Sequence, residues 1–99
     1  MKYVIAWTVR DTGAAEPEVR RLLDVFSKWT PAGATFHQFV GRIDNNGSFA
    51  VVETDDPMNV LRDVSKFEPW LRYEVYPVVD IQDVAIANTE AVEFRAGIS

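Results

Sequence analysis

The sequence contains no cysteine, which excludes disulfide scaffolding, thiolate metal sites and cysteine nucleophiles together. It has a single histidine, His37. A metal centre would need carboxylates clustered around it, and no spacing supplies them, so no metal is expected. No apolar run approaches the ~20 residues of a membrane span. The first residues lead straight into a strand-like segment, unlike the basic-then-apolar pattern of a signal peptide. The expected location is the cytoplasm, without membrane contact. Cations are scarce: 10 Lys and Arg stand against 15 Asp and Glu, a formal net charge of -5. That balance repels phosphate backbones and anionic lipid, so nucleic acid is not an expected partner. Phosphate loops, dinucleotide fingerprints and serine-centred triads are also missing, and no cofactor is implied.

What is present is ordinary globular material, 47% apolar and 25% charged, with no sign of disorder. The 99 residues suit one domain, 1–99. A core of that size is modest, and burial against a partner subunit would add to it.

Residues 2–9 are rich in Val, Ile, Tyr and Trp and read as a strand. Both alternating sets are largely apolar, Tyr3, Ile5, Trp7 and Val9 against Val4, Ala6 and Thr8, which places this strand in the middle of its sheet. A loop follows over 10–15, containing Gly13. Pro17 suits a first helical position. Val19, Leu22, Leu23, Phe26 and Trp29 then form one helical stripe, with Trp29 as a structural anchor and not a ligand contact. Pro31 and Gly33 stop that helix. Residues 34–43 and 48–54 read as strands flanking a tight turn at Asp44-Asn45-Asn46-Gly47. Asp56 and Pro57 open a second helix that carries Leu61 and Val64 inward. Residues 72–79 form a fourth strand, which Pro77 assigns to an edge. Asp80 caps a last helix with Ile81, Val84, Ala85 and Val92 on its buried side.

The order β-α-β-β-α-β with right-handed crossovers predicts an α+β, ferredoxin-like sandwich. Its four-stranded antiparallel sheet carries both helices on one face, and an extra C-terminal helix follows. The first three strands are apolar on both faces, too much so for a wet outer face. The expected cover is a second copy, giving a homodimer through the sheet face.

His37 and Glu53 are the candidate catalytic residues. A lone imidazole is a general acid or base near neutral pH. Glu53 ends a strand beside apolar residues, where its pKa would rise; the alternative is a strand-end carboxylate facing water or Arg42. Their cooperation depends on hairpin register. A two-residue turn at Asn46-Gly47 pairs Asn45 with Ser48 and separates them. A type I turn followed by a left-handed Gly47 bulge pairs Asp44 with Ser48, and puts His37, Phe39, Gly41 and Ile43 on one face with Phe49, Val51 and Glu53. The second is preferred, because Asp44 suits the first turn position, bonding N–H groups two residues on. Trp7, Trp70 and Tyr73 are the candidate ligand-binding residues, as walls of an aromatic pocket, or else core and interface anchors. Asp55-Asp56 is better explained as a helix cap than as a carboxylate pair.

The chain resembles an uncharacterised bacterial domain family of the dimeric α/β-barrel type. The resemblance rests on Met1-Lys2-Tyr3, Trp7-Thr8, Trp29-Thr30-Pro31, Gly33, His37, Gly41, Gly47-Ser48-Phe49 and Glu53, then Tyr73-Glu74-Val75, Pro77-Val78-Val79-Asp80-Ile81 and Ala85. It spans nearly the whole chain. It implies a ferredoxin-like homodimer and brings no established activity. The wider superfamily includes cofactor-free monooxygenases, haem degraders and small-molecule sensors. The haem degraders line one pocket with Asn, Trp and His, and the first strand here offers no such Asn. Gly47-Ser48-Phe49-Ala50-Val51-Val52 is also similar to the third strand of an RNA-recognition motif. There the later stacking aromatics would be Val51 and Glu53, and the chain is acidic, so RNA is not expected. Three functions remain: a module binding a small apolar molecule, a cofactor-independent monooxygenase- or isomerase-like enzyme using His37 and Glu53 for proton transfer, or a purely structural dimer.

Overall fold

The computed structural model describes residues 1–11 and 15–98; the loop expected around Gly13 lies outside them. The elements are β1 Lys2–Val9, α1 Glu16–Lys28, β2 Thr35–Gly41, β3 Gly47–Glu53, α2 Met58–Ser65, β4 Leu71–Val78 and α3 Ile81–Ala96. The sheet is antiparallel with strand order β2-β3-β1-β4, the order of a ferredoxin-like fold. As its two apolar sets require, β1 is central. β4, which holds Pro77, is an edge strand.

α1 opens with Pro17 and acidic Glu16 and Glu18, and closes with Lys28, charges that complement the helix dipole. At α2 the Met58 N–H donates to Asp56 Oδ1 at 3.0 Å, so Asp56 does cap this helix. The inward residues differ from expectation. Val60 is buried and Leu61 is 53% exposed. Val60, Asp63, Val64 and Phe67 form the inward stripe, spaced as one helix face continued into the following turn.

The β2–β3 connection also departs from both expected turns. Gly41 pairs with Ser48, and the Arg42 N–H donates to Gly47 O at 2.8 Å. Asp44 acts as anticipated, its Oδ1 accepting from the Asn46 N–H at 3.1 Å. The left-handed residue, however, is Asn45 at φ 61, and Gly47 is not left-handed. Gly47 is needed for a different reason: a Cβ there would lie 2.2 Å from Trp7 O. The irregularity sits inside β2, between Phe36 and Gln38. Phe36 pairs with Val52 and Phe39 with Ala50, so these two aromatics, three apart, share a face with His37 and Gln38 between them. The predicted grouping of Phe39 with Glu53 is therefore overturned.

By register, Tyr3, Ile5, Trp7, Ala50, Val52 and Tyr73 lie on the helix side, and Val4, Ala6, Phe49, Val51 and Tyr76 on the other. One core cluster joins Ile5, Ala50, Val52 and Val60. A second joins Phe67, Trp70 and Leu71, with Leu22, Val25 and Trp29 against it.

α3 is the largest departure. Ile81, Val84, Ala85 and Val92, expected on a buried side, are all exposed. Asp80 holds the N-cap position without a side-chain cap bond; its carboxylate instead accepts from Lys2 Nζ at 2.9 Å. The molecule measures 64 × 27 × 20 Å with a radius of gyration of 18.0 Å, against ~13 Å for a compact chain of this length. No helix is long and apolar enough to cross a membrane among the described residues.

Candidate functional site

A cavity of about 350 Å³ opens between the helix side of the sheet and the two crossover helices. Its floor is built by cross-strand pairing. Trp7 faces Tyr73, their rings tilted at 5.9 Å. The β2 bulge brings Phe36 and Phe39 to the same side, stacked at 5.2 Å, and Phe39 meets Trp7 edge-on at 5.6 Å. α1 supplies Leu22, Leu23 and Phe26, and Phe67 closes the far wall. Offset and edge-on rings of this kind are favourable beyond their buried area.

Trp29, just beyond α1, meets Phe36 and Phe67 edge-on, each at 5.6 Å. Its indole N–H donates to Asp63 Oδ1 at 3.0 Å. Asp63 is 5% exposed. It also accepts from the Ala32 N–H at 3.0 Å through Oδ1 and 3.3 Å through Oδ2, and Lys66 Nζ stands 3.7 Å away. A buried carboxylate is tolerated only with such partners. Asp63 thus ties α2 to the wall-forming tryptophan and to the loop entering β2. Trp29 is an anchor, as expected, but it also lines the cavity, against the expectation that it stays clear of any ligand site.

Tyr73 is the polar group of interest in the floor. Burial pushes its phenol well above the usual range, and the charges of Glu68 and Asp63 act in the same direction. It is therefore a neutral O–H, suited to donate a hydrogen bond and not to act as a phenolate at physiological pH.

The sequence-based candidates separate into three places. Trp7 and Tyr73 line the cavity. Trp70 does not; it is buried in the second core cluster, its indole N–H donating to Glu18 Oε2 at 2.7 Å. His37 and Glu53 do meet, with Nε2 and Oε1 2.7 Å apart, on the outer side of the sheet. The bulge produces this meeting by turning His37 outward beside Glu53. The pair is half-exposed. The Glu53 carboxyl is lowered, not raised: its hydrogen bond with His37 outweighs desolvation, and the positive N-terminus and Lys2 add to the effect. Arg42 turns to Asp44 instead.

Sequence reasoning missed most of the wall. Phe36, Phe39 and Phe67 carry no local signal of a cavity, and Phe36 joins Phe39 only through an irregularity of pairing. Asp63 was legible only as one helix carboxylate among several. Among the described residues no cluster of His, Asp and Glu could hold a metal ion. A search of curated proteins finds no match to the chain. The family model described as "Domain of unknown function (DUF3303)" matches residues 1–92, and the chain therefore belongs to that domain-of-unknown-function family.

Proposed function

We propose that the protein binds a small apolar, aromatic molecule in the cavity between sheet and helices, working as a homodimer. The observation that carries this reading is the cavity itself: about 350 Å³, within the range of small-molecule sites, walled by aromatic rings, with Tyr73 among its lining residues. Such a site favours a planar ligand that stacks on the rings and accepts one hydrogen bond.

The dimer reading rests on the outer sheet face. Val40, Phe49 and Tyr76 are 49%, 43% and 49% exposed there, next to Val4, Ala6 and Val51. An apolar patch of this kind, rimmed by Lys2, Arg72 and Glu74, is the usual mark of an interaction face. His37 and Glu53 lie on this same face, across the sheet from the cavity. They would sit near the subunit contact and out of reach of a molecule among the aromatic rings, which favours binding over proton-transfer catalysis.

The test is native mass spectrometry of protein purified from its own host, followed by titration of the candidate while tryptophan fluorescence is recorded. A co-purifying aromatic compound that quenches the signal and is rejected by Ala50→Leu is the expected result, since Ala50 lines the cavity. Binding unaffected by that substitution, with the variant folded by circular dichroism, would place the ligand elsewhere and refute the reading. Light scattering of Val51→Asp should report a monomer; a wild-type protein already monomeric at tens of micromolar would remove the dimer.

A further inference from the structure

α3 has sixteen residues, a rod of about 24 Å, and all of them but Ala91 are exposed. A helix this short is marginal alone in water and draws its stability from packing. Its sequence is built for contact. At 100° per residue, Ile81, Val84, Ala87, Ala91, Val92 and Phe94 fall within an arc of about 160°. Asn88 and Arg95 interrupt that arc, and Ile86 stands on the opposite side among Asp83, Glu90 and Glu93. A helix lying on a flat surface needs apolar residues on one side only. Apolar residues on two sides suit a groove with two walls.

The surface area points the same way. The chain exposes 7204 Å², where a compact monomer of 11.2 kDa would expose ~5,700 Å². The excess, about 1,500 Å² per chain, exceeds the ~800 Å² that a standard interface removes from each partner. The same chain offers a groove. Leu23 and Phe26 of α1 and Phe39 of β2 are 60%, 48% and 44% exposed, and all three line the cavity, so they form its rim.

The helix does not cover its own groove. It leaves the body at the end of the sheet where Lys2 pairs with Val78, and the cavity reaches toward the opposite end, where Gly47 and Ser48 line it. The 64 Å long dimension reflects α3 running away from the body.

We propose that α3 crosses to a second copy of this chain and packs over the mouth of that copy's aromatic cavity, between α1 and β2, with the exchange reciprocated across a two-fold axis. The inference rests on the homodimer reading above and adds that each binding site is completed by its partner. Ligand entry then requires the partner's arm to lift, so occupancy of the cavity and attachment of the arm are coupled.

The absence of native cysteine makes the test clean. Leu23→Cys and Val92→Cys are made in separate preparations, refolded together and treated with a short bismaleimide. The expected product is a two-chain species in which peptide mapping joins position 23 of one chain to position 92 of the other. A dimer that yields no such link, or one chain bearing both substitutions that closes on itself, overturns the proposal while leaving the dimer standing. A monomer by light scattering removes the dimer and the proposal together. As a second readout, Val84→Asp should weaken Nile red binding by about tenfold, because the aspartate opens the lid. Unchanged dye affinity in an intact dimer also overturns it. Failure of the dye to bind wild-type protein would refute the cavity reading instead, and the cross-link would still decide the position of the arm.

Discussion

Trp29 offers the most informative perturbation, because it joins apolar contact to a buried charge. Trp29→Ala removes a ring packed against Phe36, Phe39 and Phe67 and a donor from Asp63. Truncating buried aromatics costs ~3–5 kcal/mol. Trp29 is only partly buried, so the lower half of that range applies to the packing. Trp29→Phe separates the two contributions. It keeps most of the ring and leaves Asp63 with the Ala32 N–H as its closest remaining donor. Loss of a hydrogen bond to a charged group costs roughly 1.5–3 kcal/mol, and the surviving donors put the expected loss near the bottom, about 1.5 kcal/mol. In an Asp63→Asn background the Trp29→Phe step should cost at least about 0.5 kcal/mol less, since the charge that needed the donor is gone. Urea melts at fixed protomer concentration measure all four corners of the cycle, since self-association would make the midpoint depend on concentration. A domain of this size has ~5–15 kcal/mol in total, so the alanine variant should shift its midpoint clearly. A Trp29→Ala loss below about 1 kcal/mol would refute the anchor role, and equal Trp29→Phe costs in both backgrounds would refute the role of Asp63.

Two further outcomes are expected. Glu53 has its folded pKa depressed, chiefly by His37. The pair's contribution to stability is therefore present above the ordinary glutamate value, ~4.3, and is lost as pH falls through the lower folded value. A carbon-detected NMR titration should find its midpoint below that of an exposed glutamate and see it rise in His37→Ala; a midpoint at or above the ordinary value contradicts the pairing. On α2, Val60→Ala should cost about 1–2.5 kcal/mol, while Leu61→Ala stays within ~0.5 kcal/mol. Thermal melts that reverse this order would show that the helix is rotated from the position described.

Much of the fold was legible because it rests on short-range chemistry. Double-sided apolar alternation marked β1 as central, Pro77 marked an edge, and Asp56-Pro57 marked a helix start. The hairpin was legible as a hairpin and misread in register. Asn45 and Gly47 are both residues of left-handed reputation, and the deciding constraint is the approach of Trp7 O to Gly47, a contact with a strand forty residues away. His37 and Glu53 were rightly brought together, though by an irregularity in β2 and not by the turn. The failure at α3 has another cause. Periodicity reports residues at helical spacing and never says what lies against them, so Val84 and Val92 looked like core residues although both are exposed.

The extra residue in β2 has a consequence for how this surface can change. The pairing on either side of His37 is regular, Phe36 with Val52 and Gln38 with Val51. Deleting His37 would close the strand into an unbroken ladder without moving any other pair. Phe36 and Phe39 would keep their places at ordinary two-residue spacing, and Glu53 would lose its neighbour. One codon therefore separates two chemistries that share a strand. A lineage could discard or regain the ionisable pair on the outer face while the aromatic wall, the hairpin and the helices stayed as they are.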